Sequence, residues 1–292
     1  MLTFVQTTLN GLVIGGIFSL AAVGFSLIFG VMGIVNLTHG VFVVAGAYLA
    51  LTFWTALGVD PLLAVLPIGL LLFCFGYVYQ RTIIHWAVSR SNLVASLLVT
   101  FGMALILRNL IQLWYSPDVR TITPPYSFTS LQFGDLRIDL VRVVGLGASL
   151  VLLSLFALLL ARTGFGRAIR ATAQQPLAAQ LSGINVRHVY ALTFGLGAAF
   201  AGASGTIIGI VQPFSPASEV AWTLNAFVVV VLGGIGSPSG ALLGGILLGL
   251  INAYTAQYIG PALTNAMMFL VLVVMLLVRP QGLLGNAFGE TR

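Results

Sequence analysis

No lysine occurs in the 292 residues, so all twelve basic side chains are arginines. A Walker A phosphate loop needs its lysine and Schiff-base chemistry needs an amine, so neither belongs to this chain. Cysteine is nearly as scarce. Cys74 stands alone inside an apolar run, which excludes an intrachain disulfide and any Cys/His metal spacing, and it reads as packing. Only 6% of the residues are charged, against about a quarter in soluble domains. The carboxylates Asp60, Asp118, Asp135, Asp139, Glu219 and Glu290 all fall in expected loops or in the tail. An ion-driven carrier places an ionisable group inside a span despite its cost, so ion coupling is not expected. Arg108 is the one charge inside an apolar run, and it is expected to snorkel to the interface. No span pairs carboxylates, and His85 and His188 sit in separate basic loops. Neither an enzyme, nor a metal site, nor a nucleic-acid partner is expected, and no cofactor is assigned to the chain.

What the chain has instead is apolar surface: 59% of it is hydrophobic, with a mean hydropathy of +1.08. Spanning a hydrocarbon core takes about 20 helical residues, and backbone groups in lipid must be satisfied within the segment. The fold class is therefore an all-α polytopic membrane protein, a single transmembrane domain over 1–292 embedded in a lipid bilayer. Spans are expected near 4–29, 41–57, 62–79, 93–114, 141–161, 189–211, 240–258 and 262–278. The run 224–232 either crosses, for nine passes, or turns back, for seven. The first apolar run begins at once, without a basic leader region, and reads as an uncleaved span.

Glycine is abundant, with 34 residues. Pairs such as Gly11 and Gly15, Gly240 and Gly244, or Gly245 and Gly249 let helix backbones approach closely. Glycine-rich breaks at 30–40 and 233–240 each precede an apolar helix, and interrupted hydrophobic segments in corresponding halves point to a transport path built on internal symmetry. On that path the candidate lining residues are Asn36, Thr38, His39 and Gly40 in the first break, Gly234 and Ser237 in the second, and Asn225 between them. The alternative reading is structural: Asn36 or Thr38 caps the next helix, His39 bonds a carbonyl, and Asn225 bonds a neighbouring helix.

Arginine bias sets the expected orientation. Placing 81–90, 162–187 and the C-terminus in the cytoplasm gathers eight arginines and one acid there, against three arginines and five acids outside. The N-terminus is then outside and the C-terminus cytoplasmic. The loop 115–140 lies outside, with a small hairpin expected about Gly134-Asp135. Glu219 is expected to be exposed on the same side, where a soluble partner could land.

One long polar interruption remains, 164–187. A short helix over about 167–174 puts Arg167, Arg170 and Gln174 on one face. A second starts at Pro176, stops at Gly183 and carries an apolar stripe of Leu177 and Leu181. So short an amphipathic helix needs something to dock into.

Several stretches together resemble a known family. They are Gly11-Leu-Val-Ile-Gly-Gly-Ile-Phe-Ser-Leu, Ile34-Val-Asn-Leu-Thr-His-Gly-Val-Phe, Gly166-Arg-Ala-Ile-Arg-Ala-Thr-Ala-Gln, Ser182-Gly-Ile-Asn-Val, Ala226-Phe-Val-Val-Val-Val-Leu-Gly-Gly-Ile-Gly-Ser and Arg279-Pro-Gln-Gly-Leu. They are similar to the inner-membrane permease subunits of branched-chain amino acid ABC importers, of the LivH type. The resemblance implies a bacterial inner-membrane location and a coupling loop, 164–187, whose Arg167, Arg170, Gln174, Leu177, Ala178, Ala179, Leu181 and Gly183 meet a cytoplasmic ATPase. It also implies a second homologous permease, two ATP-binding subunits that hold ATP and Mg, and an extracytoplasmic substrate-binding protein. The family commonly has acidic or Asn residues near positions 175 and 177, where this chain has Gln175 and Leu177. The rival reading from another class is a passive channel for small polar solutes such as urea or amides, with 164–187 a mere linker.

Overall fold

The computed structural model describes residues 2–86, 93–133, 136–234, 236–279 and 281–284. Arg90, the expected Gly134-Asp135 turn, Ile235, Pro280, Glu290 and Arg292 lie outside the described residues. The chain is an all-α, multi-pass membrane protein. Among the described residues nine helices are long and apolar enough to cross a bilayer, including the run that ends in Gly233.

In chain order the helices are α1 (Leu2–Met32), α2 (His39–Leu57), α3 (Pro61–Tyr79), α4 (Leu93–Tyr115), α5 (Leu140–Arg162), α6 (Gly164–Gln174), α7 (Pro176–Leu181), α8 (Val186–Val211), α9 (Glu219–Gly233), α10 (Pro238–Tyr258) and α11 (Thr264–Val278). A π-helical turn, Gln80–Ile84, continues α3. The expected hairpin forms, with β1 (Ser130–Phe133) antiparallel to β2 (Leu136–Asp139) and Ser130 opposite Asp139. At the start of α5, Arg142 pairs with Asp139 at 3.1 Å and reaches Asn10 of α1 at 3.5 Å. The hairpin and Asn10 therefore share one end of the bundle, and α6 and α7, beyond α5, form the other.

Glycine sets the helix registers. A Cβ on Gly15 would stand 2.6 Å from the Ile246 Cα and one on Gly11 3.0 Å from the Leu250 Cα, so α1 and α10 touch backbone to backbone. Ser19 Oγ adds a hydrogen bond to the Leu242 carbonyl at 3.0 Å. α3 lies against α8 in the same way, Gly76 facing Ala198 and Gly195. In lipid the hydrocarbon outside is as apolar as the side chains inside, so close backbone packing supplies the association.

The packing maps onto itself when α1 is exchanged with α8, α2 with α9 and α3 with α10. Helix α1 packs on α8, α9 and α10; α8 packs on α1, α2 and α3; and α2 packs on α9. The two sets run in opposite senses, because Gly24 meets Gly197 while Ile17 and Ile207 both reach Gly145. This is an inverted repeat, the architecture expected of a transport path at the junction of the halves.

The repeat corrects one expectation. In the first half the chain leaves α1, runs irregularly through 33–38 and starts α2; in the second it leaves α8, runs through 212–218 and starts α9. The counterpart of the first break is therefore 212–218. Helices α9 and α10 are neighbours, and Gly233 and Gly240 serve a backbone contact between them: a Cβ on Gly240 would stand 2.5 Å from the Gly233 carbonyl oxygen.

Candidate functional site

Helices α2 and α9 both begin deep inside the bundle, and their first turns meet. His39 Nε2 lies 2.7 Å from the Ala21 carbonyl, eleven residues before the end of α1 at Met32. At 1.5 Å per residue, α2 thus starts about 16 Å inside that end. The irregular segment leading to it is buried, with Asn36 1% exposed and Thr38 and His39 fully covered. Irregular backbone at such depth is tolerated only where protein or water satisfies it. Asn36 Oδ1 accepts from the Thr38 amide at 3.1 Å and also from the Thr38 hydroxyl. The Gly40 amide, an unsatisfied first-turn donor of α2, donates to Thr223 Oγ1 at 2.9 Å. That hydroxyl in turn donates to the Glu219 carbonyl at 3.0 Å, one turn back on α9. Gly40 is glycine because a Cβ there would run into the Glu219 carbonyl oxygen.

The junction holds an ion pair. Glu219 opens α9, where a carboxylate complements the helix dipole, and its side chain is 6% exposed and 3.7 Å from Arg108 on α4. Two expectations fail here. Glu219 is buried between spans instead of exposed on an outer loop, because 212–218 dips into the bundle and carries it inward. Arg108 turns to Glu219 instead of snorkelling. A guanidinium and a carboxylate in an apolar surround each lower the other's desolvation cost, which neither could offset alone.

The other candidates lie elsewhere. Asn225 is half-buried on α9. Gly234 and Ser237 sit at the far end of α9, fifteen residues or about 22 Å from the junction, so they do not join Asn36, Thr38, His39 and Gly40. Ser237 Oγ accepts from the Gly240 amide at 3.0 Å and caps α10. Leu283 meets the end of α9, its amide donating to the Leu232 carbonyl at 2.8 Å. Thr38, expected as a cap of α2, makes no capping bond; its hydroxyl goes to Asn36. Thr223, Arg108 and the 212–218 segment were not read from sequence as parts of one site. A signal exists: Gly33-Ile-Val-Asn36 and Gly209-Ile-Val-Gln212 place the same tripeptide and an amide residue at the ends of α1 and α8.

At the opposite end, α6 and α7 form as expected. Thr163 Oγ1 caps α6 by accepting from the Gly166 amide at 3.0 Å, Gly166 packs on the Leu160 carbonyl, and Arg170 donates to that same carbonyl. The end of α5 and the body of α6 are thereby one rigid piece. Helix α7 stops in a Schellman motif: Gly183, at φ 84°, donates to the Gln180 carbonyl at 3.0 Å and Ile184 to the Ala179 carbonyl at 3.0 Å. Asn185 Oδ1 then caps α8 through the His188 amide at 3.1 Å. Leu177 and Leu181 are 66% and 83% exposed, an apolar stripe that nothing among the described residues covers. Arg167, Gln174, Ala178 and Gly183 are exposed beside it. Ala179, by contrast, is 3% exposed and faces the bundle, and Arg170 is half-buried. These two seat the loop and do not present a surface.

The family model of the branched-chain amino acid transport system permease component matches residues 7–278. The chain is 30% identical to the high-affinity branched-chain amino acid transport system permease protein BraD of Pseudomonas aeruginosa, over 97% of this chain and 96% of that one. It is also 30% identical to the permease protein LivH of Escherichia coli K12, over 98% and 96%. To the permease protein LivM of the same organism it is 27% identical, over 92% of this chain and 68% of that one. No solved structure matches.

Proposed function

Starting from the premise that this chain belongs to the branched-chain amino acid transport permease family, we propose that it is the membrane subunit of an ABC importer. It moves branched-chain or related small amino acids across the bacterial inner membrane and is driven by separate ATPase subunits. ATP and Mg reside in those subunits. The observation that carries the reading is the exposed Leu177 and Leu181 stripe on a helix held rigidly at both ends. A six-residue helix is not stable by itself and has no reason to display two leucines to water unless a partner covers them.

The mechanism follows from connections already described. A displacement of docked α7 passes to α5 through α6 and to α8 through the Gly183 elbow. Helix α8 touches α1 at Gly24, α2 at Val43 and Gly46, and α3 at Gly76. Close-packed helices shift as units, so the motion reaches the first turns of α2 and α9, which form the centre of the path. A second homologous permease completes the membrane part, as the similarity to both LivH and LivM supports, and an extracytoplasmic binding protein delivers substrate at the hairpin end. The N-terminus is outside and the α6–α7 end, rich in arginine, is cytoplasmic.

The test is copurification of the tagged chain with an ATPase subunit, followed by uptake of labelled leucine into vesicles. Uptake that requires ATP inside the α6–α7 compartment supports the proposal. Flux without ATP or partner, especially of urea or amides, identifies a passive channel instead.

A further inference from the structure

A cavity of about 610 Å³ opens on the α6–α7 end, beside the elbow between α7 and α8. Its walls include Met32 at the end of α1, Gln80 and His85 from the π turn, Ile184 and Asn185 from the elbow, and Arg187 from the first turn of α8. All of these lie at or near the ends of apolar spans. The π turn has a specific consequence: the His85 amide donates to the Gln80 carbonyl five residues back, so the two side chains share one face and line one cavity. In a continuing α-helix, residues five apart would diverge. Insertions of this kind concentrate at functional sites.

The cavity is positively charged, and no counter-ion to it stands among the described residues. Among the described residues no Asp or Glu occurs on this end, and Arg187 meets no carboxylate or hydrogen-bond acceptor. Arg81 is occupied, donating to the Tyr77 hydroxyl at 3.1 Å with its guanidinium over that ring. Burial first, and then the charges of Arg187 and Arg81, hold the His85 imidazole below its ordinary range. Gln80, 1% exposed, has a buried amide oxygen with no donor. One cation, Arg187, seeks an anion, the neutral His85 imidazole offers an N–H beside it, and an orphaned acceptor seeks a hydroxyl or amine.

We infer that this cavity binds a phosphate ester carrying a free hydroxyl, with Arg187 and His85 on the phosphate and Gln80 accepting from the hydroxyl. The ligand's source is either the glycerol phosphate headgroup of an anionic lipid or a soluble glycerol phosphate. Basic pockets between spans on the cytoplasmic side favour such headgroups. The elbow forms one wall, so occupancy stiffens the link from α7 to α8. The site stands on its own geometry, whether or not the transport reading holds.

Native mass spectrometry of the full-length chain, with phosphatidylglycerol, phosphatidylethanolamine or sn-glycerol 3-phosphate added, tests it. Wild type should retain phosphatidylglycerol over phosphatidylethanolamine. The double variant Arg187→Gln/His85→Gln should lose about tenfold in that retention, as expected for the loss of the Arg187 ion pair with the phosphate and of the His85 hydrogen bond, while Arg162→Gln at the same end should not. Displacement of bound lipid by millimolar glycerol 3-phosphate would assign the soluble source, and no displacement the lipid. A second measurement needs no variant: phosphatidylglycerol or glycerol phosphate should slow amide exchange over residues 180–187 of wild type. Equal retention of the two lipids, undiminished retention in the double variant, or unchanged exchange at the elbow with either ligand would overturn the inference.

Discussion

Replacing Gly40 with alanine places a methyl group where the first turns of α2 and α9 touch. The added Cβ would collide with the Glu219 carbonyl oxygen and the Thr223 hydroxyl and stand 2.8 Å from the Thr223 amide. Carbon needs about 3.5 Å, so the helix ends must part by about 1 Å or more. Parting also breaks the 2.9 Å bond from the Gly40 amide to Thr223. Overpacking costs about 1–3 kcal/mol and the lost bond about 1 kcal/mol, so Gly40→Ala should destabilise by about 2–4 kcal/mol. For chains of this size class that is a fall in Tm of about 5–15 °C. The internal control is Gly102→Ala on α4, where nothing lies within 4 Å. There alanine should be neutral or stabilising by about 0.5–1 kcal/mol through helix propensity. Melting both variants in detergent, followed by the surviving monodisperse fraction on size exclusion, gives opposite signs if the two helices meet as described. A Gly40→Ala protein that melts with or above Gly102→Ala would refute the junction.

Two further outcomes test other parts of the fold. Asp60 accepts from the Leu62 amide at 2.9 Å to cap α3 and from the Tyr126 hydroxyl at 3.0 Å to hold the long loop. Asp60→Ala should therefore cost about 1–3 kcal/mol and raise protease cleavage within 116–128, and an unchanged cleavage pattern counts against the link. At the elbow, Gly183 has φ 84° with open space around it, so Gly183→Val meets a backbone penalty of about 1–2 kcal/mol and no clash. Substrate-stimulated ATPase activity should fall while the amount of inserted protein, read by quantitative blotting, stays close to wild type.

The apolar spans apart from 224–232, the hairpin and the two short helices were legible because each rests on local chemistry: apolar length, alternation about a turn, and proline and glycine punctuation. Pro176 and Gly183 stand where the second helix starts and stops. Glycine pairing was legible as a tendency to pack, though not as a choice of partner. The site was harder to read. Glu219 looks like loop from its neighbours Pro213, Pro216 and Ser218, and only the return of that loop into the bundle buries it. Arg108 looks like an interfacial arginine until α9 places a carboxylate 3.7 Å away. The second break misled because glycine interrupts a helix in one context and lets two helices touch in another. At 233–240 it does the latter. Ala179 shows the same limit on a smaller scale, since a helix of six residues does not reveal which side faces its own bundle.

The account turns on α7 being pushed from outside the chain. The direct measurement is ATP hydrolysis by the assembled importer in proteoliposomes, with and without loaded binding protein, for wild type and for the double change Leu177→Asp/Leu181→Asp. Both leucines are exposed, so the chain itself should fold and insert normally. The account predicts that substrate stimulation of hydrolysis and ATP-driven uptake are both lost in the double variant. Stimulation and uptake equal to wild type would contradict it.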